Sequence, residues 1–234
     1  MNSVVYGSTT IEYRLERRER ATLAITVEPT GEVLAVAPES AGLKGVEAMI
    51  RKRARWIIRQ QEFFAQFTPR TPPRRFVVGE THKYLGRQYR LRVEPGETQR
   101  VRMVRGFILV SGVDFADAAA IEHLVTGWYR ERAEVQFRRR LQVNLDRFTE
   151  PKQFSPTSLR VQKMTTRWGS MSPGGRLLLN PELVRAPADT IDYVIIHELC
   201  HRAVPNHSRA FYELQSRVMP DWEGRKLRLE KAMA

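Results

Sequence analysis

The residues best suited to chemistry are His197-Glu198-Leu199-Cys200-His201, an H-E-x-x-H arrangement. On a helix, positions i and i+4 lie one above the other on the same face. Both imidazoles can then reach one zinc ion at about 2.0–2.1 Å. Glu198 falls about 100° around the helix, beside the metal rather than on it, where a base for metal-bound water belongs. Such a pentapeptide can arise by chance, so a third ligand decides its meaning. The chain has five histidines, His82, His123, His197, His201 and His207. Three of them are clustered. Ala203-Val204-Pro205-Asn206 is expected to break the helix and swing His207 back to the metal, since proline lacks the backbone donor and Asn tolerates turn geometry. Three histidines leave a fourth position for water, as catalytic zinc requires. Glu213 is the rival third ligand. Cys200 is expected to point away from both rings as a small buried hydrophobe. The competing reading makes His197 and His201 satisfied core histidines.

A helix must carry this pentapeptide. Ile191, Ile195 and Leu199 form one apolar stripe for the core, while His197 and His201 flank Val194 on the site-facing side. Pro187 suits the first turn of that helix, which is expected to run to about Ala203. A further helix is expected from Ser208 to Met219, stopped by Pro220, and a last one at the C-terminus. Upstream, Ala116 to about Phe148 reads as a long amphipathic helix, apolar at Ile121, Leu124, Val125, Trp128, Tyr129, Val135, Phe137 and Leu141. Leu159-Arg160-Val161, Met164 to Trp168 and Leu177-Leu178-Leu179 read as strands, with Ser172-Pro173-Gly174-Gly175 as a turn.

The first half of the chain reads as strands around one helix. Ile11–Leu15 and Leu23–Val27 alternate with period two, and Thr30-Gly31 turns into Val33–Val36. Val46 to Phe67 is helical, apolar at Val46, Met49, Ile50, Trp56, Ile57, Phe63 and Phe64. Phe67-Thr68-Pro69-Arg70-Thr71-Pro72-Pro73 is the candidate linker. Further strands are expected at Phe76–Val78, Tyr89–Val93, Val101–Val104 and Phe107–Val110. No internal repeat is visible. The order gives an α+β protein: an N-terminal β-rich basic region with a helix over 1–115, then a small sheet packed by helices over 116–234, or the two as one continuous domain.

Several of these segments resemble the YgjP/SprT-like zinc metallopeptidases. They are Ile191 to His201, Asn206-His207-Ser208 and Phe211, together with Arg167-Trp168-Gly169-Ser170 and Leu179-Asn180. Tyr84-Leu85-Gly86 and Trp128-Tyr129-Arg130 also fit the YgjP branch. The resemblance implies a zincin-type hydrolase holding one zinc per chain through His197, His201 and His207, with Glu198 as general base and a protein or peptide as substrate. Met171 stands where the family often has cysteine. Arg167, Trp168, Tyr193 and Tyr212 are candidates for touching the substrate or the developing oxyanion; core packing is their competing role. The strand read at Met164 to Trp168 could pair with an extended peptide by edge addition.

Composition bounds the alternatives. Of 234 residues, 42% are AVILMFWYC and 28% DEKR, ordinary globular usage. No run approaches the roughly 18 apolar residues of a membrane span, and Met1–Tyr6 lacks the basic-then-apolar order of a signal peptide. The single cysteine excludes a disulfide framework within the chain and a four-cysteine zinc ribbon. A soluble cytoplasmic protein is expected. The net charge is +13, and Arg51 to Arg105 holds fifteen basic residues against four acidic. That segment suits nucleic acid or another polyanion, or is simply a solvated face. The alternative to a peptidase is therefore a nucleic-acid-associated protein with a structural or vestigial zinc site; a protease recruited to DNA-bound protein joins the two.

Overall fold

The computed structural model describes residues 1–28, 30–66, 74–165 and 167–233. The chain divides into two compact units, Met1–Pro72 and Pro73–Met233. The linker expected at 67–73 lies outside the described residues. The sequence division at 115/116 is therefore corrected. Leu91, Ile108 and Val110 share one apolar core with Ile121, Val125 and the residues around His197, so the strands over 81–111 belong to the second unit.

In the first unit, β1 (Asn2–Tyr6), β2 (Thr9–Arg18), β3 (Ala24–Val27) and β4 (Val33–Pro38) form a sheet in the order β1-β2-β4-β3. Helix α1 (Leu43–Ala65) lays Val46, Ile50, Ala54 and Ile57 on it. These positions recur every three or four residues, the stripe a helix needs to cover a sheet. Met49 and Trp56, expected in the core, fall outside that stripe and are exposed. Strand β1 was not anticipated.

In the second unit, β5 (Thr81–Tyr84), β6 (Arg87–Glu94), β7 (Arg100–Val104) and β8 (Phe107–Ser111) form a sheet in the order β5-β6-β8-β7. Its outer pairs are antiparallel and its central pair parallel, as in the first unit. In each unit a long helix follows the fourth strand, here α2 (Ala118–Leu145). The two units thus share one topology, although no sequence repeat is visible; strand pairing depends on apolar spacing, which many sequences satisfy. Asp117 caps α2 by accepting the Ala120 N–H at 2.9 Å. Val135, expected in the core, is exposed.

Two expected strands do not form among the described residues. At 76–78, Phe76 has φ 54°, and the N–H groups of Arg75 and Phe76 donate to the Glu80 carboxylate at 2.9 and 2.8 Å. The chain wraps around Glu80 rather than pairing. At 164–168, residue 166 lies outside the described residues and the others are not in strand. The carbonyls of Met164 and Arg167 accept from the Asn180 side chain at 2.8 and 3.1 Å, and that of Trp168 from the Asn180 backbone at 2.9 Å. One buried asparagine thus takes the acceptors a ladder would have used.

After the one-turn helix α3 (Pro151–Phe154), β9 (Ser158–Val161), β10 (Gly169–Met171) and β11 (Arg176–Leu179) form a three-stranded sheet in the order β10-β11-β9. A 3-10 segment, Pro181–Arg185, leads into α4 (Ala188–Cys200), followed by α5 (Arg209–Val218) and α6 (Trp222–Met233). No helix among the described residues is long and apolar enough to cross a membrane.

Candidate metal centre

Helix α4 is central: Ile191, Ile195 and Leu199 lie in the core, while Val194, His197 and His201 line a cleft, as the sequence pattern implies. Thr190 to Ile196, Glu198, Leu199 and Cys200 are all buried, leaving His197 partly exposed. It packs against α2, α5, α6 and β10. Its start is set by the β5–β6 hairpin: the Leu85 and Gly86 N–H groups donate to the Val184 and Arg185 carbonyls at 2.9 and 3.0 Å. Both turn residues have positive φ, as a two-residue hairpin requires. Gly86 also lies so close to Pro187 that a Cβ would sit 3.0 Å from the proline Cα. Deeper, Asp192 accepts from Arg140 and from Asn144, both of α2, at 2.7 Å each. A buried ion pair thus fixes α4 against α2.

The helix ends at Cys200, short of the expected Ala203, and residues 201–203 form a turn. The chain then reverses and brings His207 back. His207 Nε2 lies 3.0 Å from His197 Nε2. Ligand atoms of His197, His201 and His207 all fall within 4.8 Å of one another. Glu213, the rival, is instead paired with Arg209 at 2.7 Å on an exposed face of α5. Cys200 is free and wholly buried, and burial pushes its thiol up to about 12.

Protein oxygens orient two of the rings. His197 Nδ1 lies 2.9 Å from Gln215 Oε1, and His201 Nδ1 lies 3.1 Å from the Val204 carbonyl. Both oxygens accept an Nδ1–H, which leaves each Nε2 unprotonated and free to ligate. Burial, then the neighbouring His201, depresses His197 to about 4. His207 is lowered by the same two causes. His197 and His207 are thereby biased to the neutral form that binds metal. Three imidazoles with two imposed tautomers fit a tetrahedral divalent ion that keeps a corner for solvent.

Glu198 is 7% exposed. Burial raises its carboxyl to about 7, against the opposing pull of the Met171 N–H that it accepts and of the Arg167 charge. Gly169 of β10 lies directly over it; a Cβ there would come within 2.8 Å of Glu198 Cγ and 2.9 Å of Oε1. The site opens into a cleft of about 800 Å³. Arg167, Trp168 and Tyr193 line it. Tyr212 does not, but its ring sits 6.2 Å from that of His207. Tyr193 has its ring 5.9 Å from that of His197, and burial raises its phenol. Gln215 and Gly169 were missed in the sequence. Gln215 could have been noticed, because it occupies an apolar position four residues after the buried Phe211.

A buried helix that presents two imidazoles one turn apart, with a third folded back over them, can hold a divalent ion, as a metallopeptidase requires. The chain is a member of the YgjP-like family: the signature described as YgjP-like, metallopeptidase domain, matches residues 21–232. No curated protein sequence matches it. Among solved structures, the metallopeptidase zymogen of Pyrococcus abyssi abylysin is similar over 41% of this chain and 87% of its own, at 18% identity and a TM-score of 0.31.

Proposed function

We propose that the chain is a zinc-dependent peptidase in which His197, His201 and His207 hold one ion per chain and Glu198 is the general base. The observation that carries this is the convergence of three imidazole nitrogens within 4.8 Å, beside the buried carboxyl of Glu198. An all-nitrogen set suits zinc. When bound, zinc acts as a Lewis acid and brings a water to a pKa near 7. Glu198 takes a proton from the attacking water as its oxygen bonds to the peptide carbonyl carbon. It returns that proton to the amide nitrogen as the C–N bond breaks. A carboxylate held beside the reacting atoms is suited to both transfers. Tyr193, whose phenol stays protonated at neutral pH, is the donor we assign to the developing oxyanion. Strand β10 is an edge strand with Gly169 against Glu198, so an extended peptide added to that edge would carry its backbone past the base. A cytoplasmic compartment suits the one cysteine, which is buried and free.

The test is metal analysis joined to cleavage of casein and a peptide library. Expected are about one zinc per chain and cleavage that stops on chelation and returns with zinc. Zinc-loaded protein that cleaves nothing in either substrate set would refute the reading.

A nucleic-acid role is favoured by one further observation. The basic stretch 51–105 is shared between the two units, but its densest part lies on α1. There Lys52, Arg53, Arg55, Trp56 and Arg59 surround one surface hollow. No carboxylate among the described residues pairs with these cations, and Trp56 is 39% exposed. Unpaired cations around a flat ring suit single-stranded nucleic acid, through phosphate contact and base stacking. Titration with an oligonucleotide should quench tryptophan fluorescence, with an affinity that falls steeply with salt. Binding unchanged by Trp56→Ala would dismiss it. A peptidase recruited to nucleic-acid-bound protein requires both this surface and the metal centre.

A further inference from the structure

Two arginines line the cleft beside the imidazoles, Arg167 and Arg202. Neither has a carboxylate within ion-pair distance among the described residues, whereas Arg140, Arg185, Arg209, Arg225 and Arg228 of the same unit each do. Glu198 is the one carboxylate lining the cleft among the described residues. The cleft is therefore cationic even before a divalent ion is counted.

Arg202 is held in place. It follows His201 in the turn that ends α4, where its backbone N–H donates to the Leu199 carbonyl at 3.0 Å. Its guanidinium rests over Gly175, which has φ +80° and no side chain; a Cβ there would collide with Nη1. Its Nε is buried and has no acceptor. The Nε atoms of Arg140 and Arg185 are buried without acceptors as well, but each of those guanidiniums has a carboxylate partner and that of Arg202 has none among the described residues. A guanidinium seated on a glycine in the cleft wall, with no carboxylate of its own chain in reach among the described residues, can pair its Nη donors with an oxygen that comes from outside the chain.

The two cations bracket β10. Arg167 precedes Gly169 by two residues, and Arg202 packs on Gly175, in the turn between β10 and β11. A peptide lying along the β10 edge would pass both, with the Glu198 carboxylate between them.

We propose that this cleft selects acidic peptides, with carboxylate side chains of the substrate pairing to Arg202 on one side of the scissile bond and to Arg167 on the other. The proposal rests on the peptidase reading for its substrate class. It names the side chains that class must carry.

Binding of capped hexapeptides to the metal-free full-length chain tests it. Without metal there is no turnover, and a glutamate cannot bind by ligating the ion. Peptides carry Glu or Gln at each position in turn, and affinity is read by calorimetry. Glu should bind about tenfold or more tighter than Gln at positions on both sides of the centre, since each gains a charge-assisted hydrogen bond. Salt should erode that preference. In Arg202→Gln the preference should vanish at one set of positions, in Arg167→Gln at the other, and Arg202→Lys should restore part of it. If Arg202→Gln does not fold, the wild-type Glu/Gln ratio and its salt dependence decide alone. Equal affinity for Glu and Gln at every position overturns the proposal. Cleavage of peptides without any acidic preference would sink this inference and leave the peptidase reading intact. Acid-selective binding by a zinc-loaded protein that cleaves nothing would do the opposite.

Discussion

Replacing Glu198 by Gln should remove hydrolysis and, in the metal-free protein, raise stability. The carboxyl is 7% exposed, and burial lifts it from an ordinary 4.5 to about 7. At about 1.36 kcal/mol per pKa unit, keeping it ionised in the folded state costs on the order of 3 kcal/mol. The sign follows from proton counting. Between about 4.5 and 7 the folded state binds the proton and the unfolded chain does not, so this group stabilises the fold at low pH and loses that contribution as pH rises through 7. Glutamine is neutral throughout and can still accept the Met171 N–H. The variant should therefore exceed the wild type by on the order of 3 kcal/mol at pH 8 and match it near pH 4. Urea unfolding followed by tryptophan fluorescence is a suitable assay, because Trp128, Trp168 and Trp222 all lie in the second unit. With slopes of about 1–3 kcal/mol per molar urea, the midpoint should move by about 1 M or more. Coincident midpoints at pH 8, or a gap that persists unchanged at pH 4, would refute the argument that burial of this carboxylate is held against the stability of the fold. Retained hydrolysis would remove Glu198 from the mechanism altogether.

Three further outcomes follow from the same geometry. Gln215→Leu removes the acceptor of His197 Nδ1–H at 2.9 Å, so zinc affinity should fall by about 10–100-fold in competition with a chromogenic chelator. Gly169→Ala forces Glu198 to move, because its Cβ would come within 2.9 Å of Oε1; kcat/KM should drop by about 10²-fold while zinc content is unchanged. Asp192→Ala leaves the half-buried Arg140 guanidinium without its carboxylate, and urea unfolding should show a loss of about 3 kcal/mol.

The sequence alone marked the candidate metal ligands. Two histidines four residues apart with an intervening glutamate are a local pattern, and a helix turns that spacing into a shared face whatever surrounds it. The position of His207 was legible for a similar reason, since Pro205 and Asn206 force the chain to turn within a few residues. The α+β class and most helices were legible from apolar period. Tertiary structure decided what depends on distant partners. Whether Met164–Trp168 pairs as strand or gives its carbonyls to Asn180 is set by a residue beyond the next turn. The domain boundary moved because a β-strand does not reveal which helix will cover it. The repeated topology of the two units left no trace in residue identity. Gln215, Gly169 and the Gly175 seat for Arg202 act through contacts across 18 or more residues of chain. Local periodicity fixes which way a side chain points; only packing fixes what it meets.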